Sequence, residues 1–241
     1  MTNSFDPKTV KACVFDVFGT VVDWRGSIKA EGEQRWSKRV PGVDDWGAFA
    51  DAWRAQYAPT MNKVRVGNLG WTGLDTLHRM ILDDIAPQFG LGVLSEEELQ
   101  DLNKVWHRLH GWPDSPKGVS MLKEHRIVAT LSNGNVALLT NMAKFAGLNW
   151  DTVLSAELFG HYKPDPEVYL GAAKLLGLQP GEVMMCAAHT QDLDSARKLG
   201  LRTAYIHRPN ERPGREVPMP AKDAYDIVTT GIDGIATAMG S

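Results

Sequence analysis

The sequence predicts an α/β protein: a mostly parallel sheet core interrupted by an inserted helical domain. Three observations carry this. Short apolar runs rich in β-branched or small residues recur, each followed by loop chemistry and then a helical pattern, as in a parallel sheet covered on both faces. Between the first run and the second lies a long segment with helical periodicity and almost no strand signal. Finally, 43% of the 241 residues are hydrophobic and 23% charged, a balance that fills a real core and excludes disordered, collagen-like and disulfide-rich small chains.

The first strand is expected at residues 11–17 and runs into Asp16-Val17-Phe18-Gly19-Thr20. The helical segment follows, far longer than the roughly 2–6 residues of a βα connection, which makes it an insertion. Within it Trp46, Phe49, Ala50, Trp53 and Tyr57 fall at the three-and-four spacing of one helix face, a pattern of packing rather than of cofactor binding. Pro113-Asp114-Ser115-Pro116 marks the return to the sheet. The core is therefore expected at residues 1–23 and 114–241, and the insert at 24–113. A second strand at 126–131 ends in Ser132-Asn133-Gly134, and a helix at 135–146 stops at Gly147. A weaker strand at 152–156 precedes Pro164-Asp165-Pro166, which opens a helix closing at Gly177. A fourth strand at 183–188 leads to a helix at 190–199 that stops at Gly200. Runs at 202–207 and 226–230 complete the sheet, with a proline-rich surface loop at 210–220 between them. The whole reads as a Rossmann-like layer protein.

Lys plus Arg (26) nearly balances Asp plus Glu (29), so the net charge of −3 supplies no field for nucleic acid or an anionic membrane. No apolar run approaches the ~20 residues that cross a bilayer, and Met1-Thr2-Asn3-Ser4 shows no signal-peptide pattern, so a cytoplasmic protein is expected. Cys13 and Cys186 lie inside apolar runs without metal-ligand spacing and are expected as buried, reduced thiols.

Ligands of open parallel sheets bind at the carboxyl ends of the strands. Four strand ends here offer Asp16, then Ser132 with Asn133, then Lys163, then His189 with Asp192. Asp16 alone could be a carboxylate accepting turn N–H groups. An ammonium beside it changes that: Lys163 would hold the carboxylate ionised, and an ionised, oriented carboxylate is a nucleophile able to form a covalent ester.

Asp16-Val17-Phe18-Gly19-Thr20, Ser132-Asn133-Gly134, Lys163-Pro164-Asp165-Pro166 and Asp192 resemble, in order and position, the four motifs of the haloacid dehalogenase superfamily. The resemblance spans the sheet domain. It implies Asp16 as nucleophile, Ser132 and Lys163 as steadying groups, and a helical cap where the insert lies. Phosphatases of the superfamily carry a second aspartate two positions after the nucleophile and use magnesium. Here Phe18 stands at that position, and Ala187-Ala188-His189 lacks the Gly-Asp that helps hold the metal. The branch this resembles is the L-2-haloacid dehalogenases, which attack carbon and need neither metal nor other cofactor.

That resemblance implies a small halogenated carboxylic acid as substrate and halide as leaving group. Trp53-Arg54 is similar to the Trp-Arg pair that supplies an arginine to the family's pocket, so Arg54 with Asn133 would cradle halide. Thr20 and Ser132 with turn amides would hold the substrate carboxylate, Tyr169 matches a pocket tyrosine, and Tyr57 and Trp71 would shape a small dry cavity, for which fluoroacetate is a candidate. One departure stands out: Ala187-Ala188-His189 replaces the better-known Ser-Ser-Asn. His189 and Asp192 are expected to share activation and positioning of the hydrolytic water. A magnesium-dependent phosphatase and a non-catalytic ligand-binding scaffold are the alternatives. Relatives are often dimers, so a homodimer is an open expectation; no interface is legible in one sequence.

Overall fold

The computed structural model describes residues 5–240, so the polar start at residues 1–4 lies outside the described residues. The strands are β1 (Ala12–Phe15), β2 (Val22–Asp23), β3 (His110–Gly111), β4 (Ile127–Ser132), β5 (Thr152–Ser155), β6 (Val183–Ala187), β7 (Arg202–Ile206) and β8 (Ile227–Thr229). Six form one all-parallel sheet in the order β5-β4-β1-β6-β7-β8. From β1 the chain moves to β4 and β5 on one side, then returns to β6 and continues to β7 and β8 on the other. The reversal at β1 opens the crevice where such sheets bind ligands, and it brings the ends of β5, β4, β1 and β6 side by side.

β1 is buried on both faces, which is why its sequence reads as a continuous apolar run. Its alternation still matters: Cys13 and Phe15 point into one core, Ala12 and Val14 into the other. Met184 and Cys186 of β6 join the first core, while Val183, Met185 and Ala187 join the second. Cys13 and Cys186 are buried free thiols.

The helices are α1 (Trp24–Glu31), α2 (Trp46–Ala55), α3 (Tyr57–Arg65), α4 (Leu74–Ile85), α5 (Glu96–Asn103), α6 (Ser115–Lys123), α7 (Val136–Ala146), α8 (Pro166–Leu175), α9 (Thr190–Lys198) and α10 (Ile232–Ala238). The five between β2 and β3 are mutually packed, and β2 pairs antiparallel with β3 where the chain leaves and re-enters the sheet region. Trp46, Phe49 and Trp53 bury one face of α2 and continue the same core as Phe15, so that core runs unbroken from the sheet into the helices. Truncating Trp53, fully buried, would cost about 3–5 kcal/mol.

The structure differs from the sequence expectation at three places. Tyr57 does not continue the Trp46 helix: the chain turns at Gln56, and Tyr57 opens α3, half-buried. Two helices carried no clear signal. α6 begins at the proline-bounded return point, and α10 is only seven residues long; they pack on each other against the sheet. No helix of the described residues is long and apolar enough to cross a membrane.

Candidate active site

Asp16 follows β1 directly. Its backbone N–H donates to the Cys186 carbonyl at 3.0 Å, which extends the β1–β6 ladder by one residue and aims the side chain at the crevice. Lys163 reaches the carboxylate from the loop after β5, its Nζ 3.0 Å from Oδ1. Its own N–H donates to Asn133 Oδ1 at 2.8 Å, so the residue after β4 positions the lysine and keeps its amide group on the cavity side. Thr20, in the turn closed by Gly19 at φ +82°, donates its hydroxyl to Asp16 Oδ2 at 2.8 Å. His189, capping α9, places Nδ1 2.9 Å from the same oxygen.

The charged groups form an alternating row. Asp192 in the first turn of α9 accepts from Lys163 Nζ and from the Tyr169 hydroxyl, both at 2.5 Å. Lys163 bridges Asp192 to Asp16, and His189 bridges Asp16 to Glu211, its Nε2 lying 3.1 Å from Glu211 Oε2. Glu211 is buried in the proline-rich loop and also accepts Trp24 Nε1–H at 3.0 Å. Burial raises a carboxyl pKa, yet Lys163, His189 and Thr20 hold Asp16 far below the usual carboxylate range. Burial pulls His189 down, but its two carboxylate partners push it up to about 10, so both ring nitrogens carry protons at neutral pH. Burial raises Asp192 against the pull of Lys163, with the charge of Asp16 adding to the rise. Glu211 is held low despite burial by His189 and Trp24.

Arg54 enters from α2. Its guanidinium lies 3.9 Å from the Tyr57 ring centroid, 5.7 Å from Trp24 and 5.8 Å from Phe18, and its buried Nη1 has no hydrogen-bond partner among the described residues. Asp16, Phe18, Arg54, Tyr57, Asn133 and Lys163 share the wall of one cavity of about 300 Å³, which Tyr169, His189 and Asp192 also line. An unpaired cation therefore faces the same small space as an ionised carboxylate.

Several expectations need correction. Thr20 is fully buried; with its hydroxyl given to Asp16 and its Oγ accepting Ala188 N–H at 2.9 Å, it is not free for a substrate carboxylate. Ser132 is also fully buried; its Oγ accepts Gly134 N–H at 3.3 Å, and it does not line the cavity. His189 pairs with Glu211 and Asp16 rather than Asp192, because the imidazole points away from α9 towards the 207–226 loop while Asp192 is claimed by Lys163 and Tyr169. Trp71 is 40% exposed and packs at a tilt against Tyr162, outside the cavity. Sequence reasoning missed Glu211. The signal was the strand-end rule itself, applied to four strand ends but not to the loop after β7.

The residues do not fit magnesium. A hard cation needs about six oxygen ligands, but the Asp16 oxygens are engaged by Lys163, Thr20 and His189, those of Asp192 by Lys163 and Tyr169, and Phe18 offers none. Among the described residues no group of three or more His, Cys, Asp or Glu side chains is placed to hold a metal.

Comparison with known proteins matches residues 10–200 to the haloacid dehalogenase-like hydrolase family. The (S)-2-haloacid dehalogenase 4A of Burkholderia cepacia is 30% identical over 219 residues, covering 86% of this chain and 87% of that protein. A crystallised L-2-haloacid dehalogenase is 45% identical with a TM-score of 0.88 over 95% of this chain and 99% of its own. A crystallised defluorinating L-2-haloacid dehalogenase is 40% identical with a TM-score of 0.92 over 99% and 100%.

Proposed function

Since the chain belongs to the haloacid dehalogenase-like hydrolases, we propose from its site chemistry that it is a hydrolytic 2-haloacid dehalogenase. It converts a small (S)-2-haloacid or haloacetate to the 2-hydroxy acid and halide through an aspartyl ester. The observation that carries this reading is Arg54, which lines the Asp16 cavity from an aromatic cage and whose buried Nη1 has no hydrogen-bond partner among the described residues. Such a group serves a departing anion.

In the proposed mechanism Asp16 Oδ1 attacks the halogen-bearing carbon. Among the described residues Oδ1 accepts only the Lys163 ammonium, whereas Oδ2 is engaged by Thr20 and His189. The new C–O bond forms as the carbon–halogen bond breaks, with inversion, and Arg54 and the Asn133 amide receive the halide. Esterification removes the Asp16 charge. His189 then keeps only Glu211 as an anionic partner, its pKa falls, it gives up the Nδ1 proton to solvent, and Nδ1 can act as a base. Water attacks the Asp16 carbonyl carbon and gives a proton to His189, while the Thr20 hydroxyl steadies the oxyanion at Oδ2. His189 returns that proton to the departing alkoxide. The second water proton passes to His189 as Asp16 re-ionises, which restores the doubly protonated imidazole. Asp192 and Tyr169 hold Lys163 in place throughout.

Residues 1–23 and 114–241 are taken as the catalytic core and 24–113 as a cap that closes over it. A cytoplasmic location and a homodimeric assembly belong to the same proposal. The test is incubation with (S)-2-chloropropionate: release of chloride with formation of (R)-lactate, indifferent to a chelator, is expected. Magnesium-dependent hydrolysis of an aryl phosphate without chloride release would instead make the protein a phosphatase.

A further inference from the structure

We propose that Arg212, on the loop after β7, is the specificity-determining residue that receives the carboxylate of the substrate, an inference that rests on the haloacid reading above. A haloacid presents two anionic centres during attack, the fixed carboxylate and the departing halide. Besides His189, four cationic side chains line the cavity: Arg54, Arg65, Lys163 and Arg212. Lys163 is already paired with two carboxylates, Asp16 and Asp192. Arg65 is committed to Asp165, with Nε and Nη2 at 3.0 and 2.6 Å. Arg54 and Arg212 remain, neither with a carboxylate within ion-pair distance among the described residues. Arg54 is caged for the halide, which leaves Arg212 for the carboxylate.

Two further observations point the same way. Thr20 and Ser132, the hydroxyls that sequence reasoning assigns to the carboxylate, are turned into the protein, so the cavity needs another receptor. Arg212 lies with its guanidinium 6.0 Å from the Trp24 ring centroid, the indole that also backs Arg54, so the two cations share one wall. A guanidinium also matches a carboxylate's geometry in a way an ammonium does not. Arg212 follows Glu211 directly and stands where the reaction cavity meets a second one of about 560 Å³ beneath the same loop.

The experiment compares wild type, Arg212→Gln and Arg215→Gln; Arg215 is exposed on the same loop and lines only the second cavity. KM and kcat are measured with chloroacetate, and glycolate binding is measured by calorimetry at low and high salt. Arg212→Gln is expected to raise KM and weaken glycolate about 10- to 100-fold, the range for a lost charge-assisted hydrogen bond, with kcat within about threefold. Arg215→Gln is expected to match wild type, and Arg212→Lys to recover part of the loss. Unchanged KM and glycolate affinity in Arg212→Gln would overturn the proposal. So would an equal loss in Arg215→Gln that vanishes at high salt, since that describes a general field and not a contact. Failure of the haloacid reading shows separately, as no chloride release by wild type; glycolate binding then still decides the role of Arg212.

Discussion

Replacing Glu211 by Gln removes one negative charge from the outer nitrogen of His189 and leaves a side chain of nearly the same shape. In the resting protein His189 is held at about 10 by two carboxylates, with burial working against them. Esterification takes away Asp16, so in the intermediate Glu211 alone offsets burial. Without it the imidazole drops below its ordinary value and becomes a poor base. The loss is that of a hydrogen bond between charged groups, about 1.5–3 kcal/mol. It corresponds to about a 10- to 100-fold slower ester hydrolysis, at the low end of what a positioned base contributes. Attack on the haloacid depends on Asp16, Lys163 and Arg54 and is expected to change less than about threefold. In rapid-quench assays Glu211→Gln should release one halide per site in a burst, then turn over slowly, with the ester visible by mass on the Asp16 peptide. Steady turnover at the wild-type rate without a burst, or a burst slowed as much as turnover, would refute the reasoning.

Other expectations follow from the same row of charges. Gly19 sits at φ +82°, and a Cβ there would lie 2.3 Å from Glu211 Oε1. Gly19→Ala should therefore displace Glu211, reproduce the ester accumulation of Glu211→Gln, and destabilise the fold by about 1–2 kcal/mol through the left-handed backbone, read as a lowered Tm. His189 has a raised pKa, so its pairing stabilises the fold fully below the ordinary histidine value and loses that contribution as pH rises through about 10. The Tm of wild type should accordingly fall more than that of His189→Ala between neutral and strongly alkaline pH. Equal falls would contradict the pairing. Arg54→Gln should slow halide release more for chloride than for iodide, because the poorer leaving group needs more help; an equal effect on both would remove Arg54 from the halide site.

Most of the sheet was legible because buried parallel strands are apolar on both faces and end in recognisable turn chemistry. Lys163 and Asp192 could be placed because each follows a strand at a fixed offset. The helix break at Gln56 was not legible, since the apolar spacing runs straight through it and only the backbone turn separates Trp53 from Tyr57. The direction in which a hydroxyl points is equally invisible: Thr20 and Ser132 have the right chemistry for a ligand, but both serve the turns that carry them. Glu211 lies in a stretch without periodicity, and its role arises from a contact 22 residues away in sequence, with His189. Composition of that loop signals only exposure, which holds for Arg212 and fails for Glu211.

The central claim is that a carboxylate oxygen of Asp16 bonds to substrate carbon and that water later attacks the enzyme rather than the substrate. A single turnover of excess enzyme with chloroacetate in oxygen-18 water tests it most directly. The account predicts heavy oxygen in the Asp16 peptide and ordinary oxygen in the glycolate hydroxyl. Heavy oxygen in that hydroxyl, with an unlabelled Asp16 peptide, would contradict it.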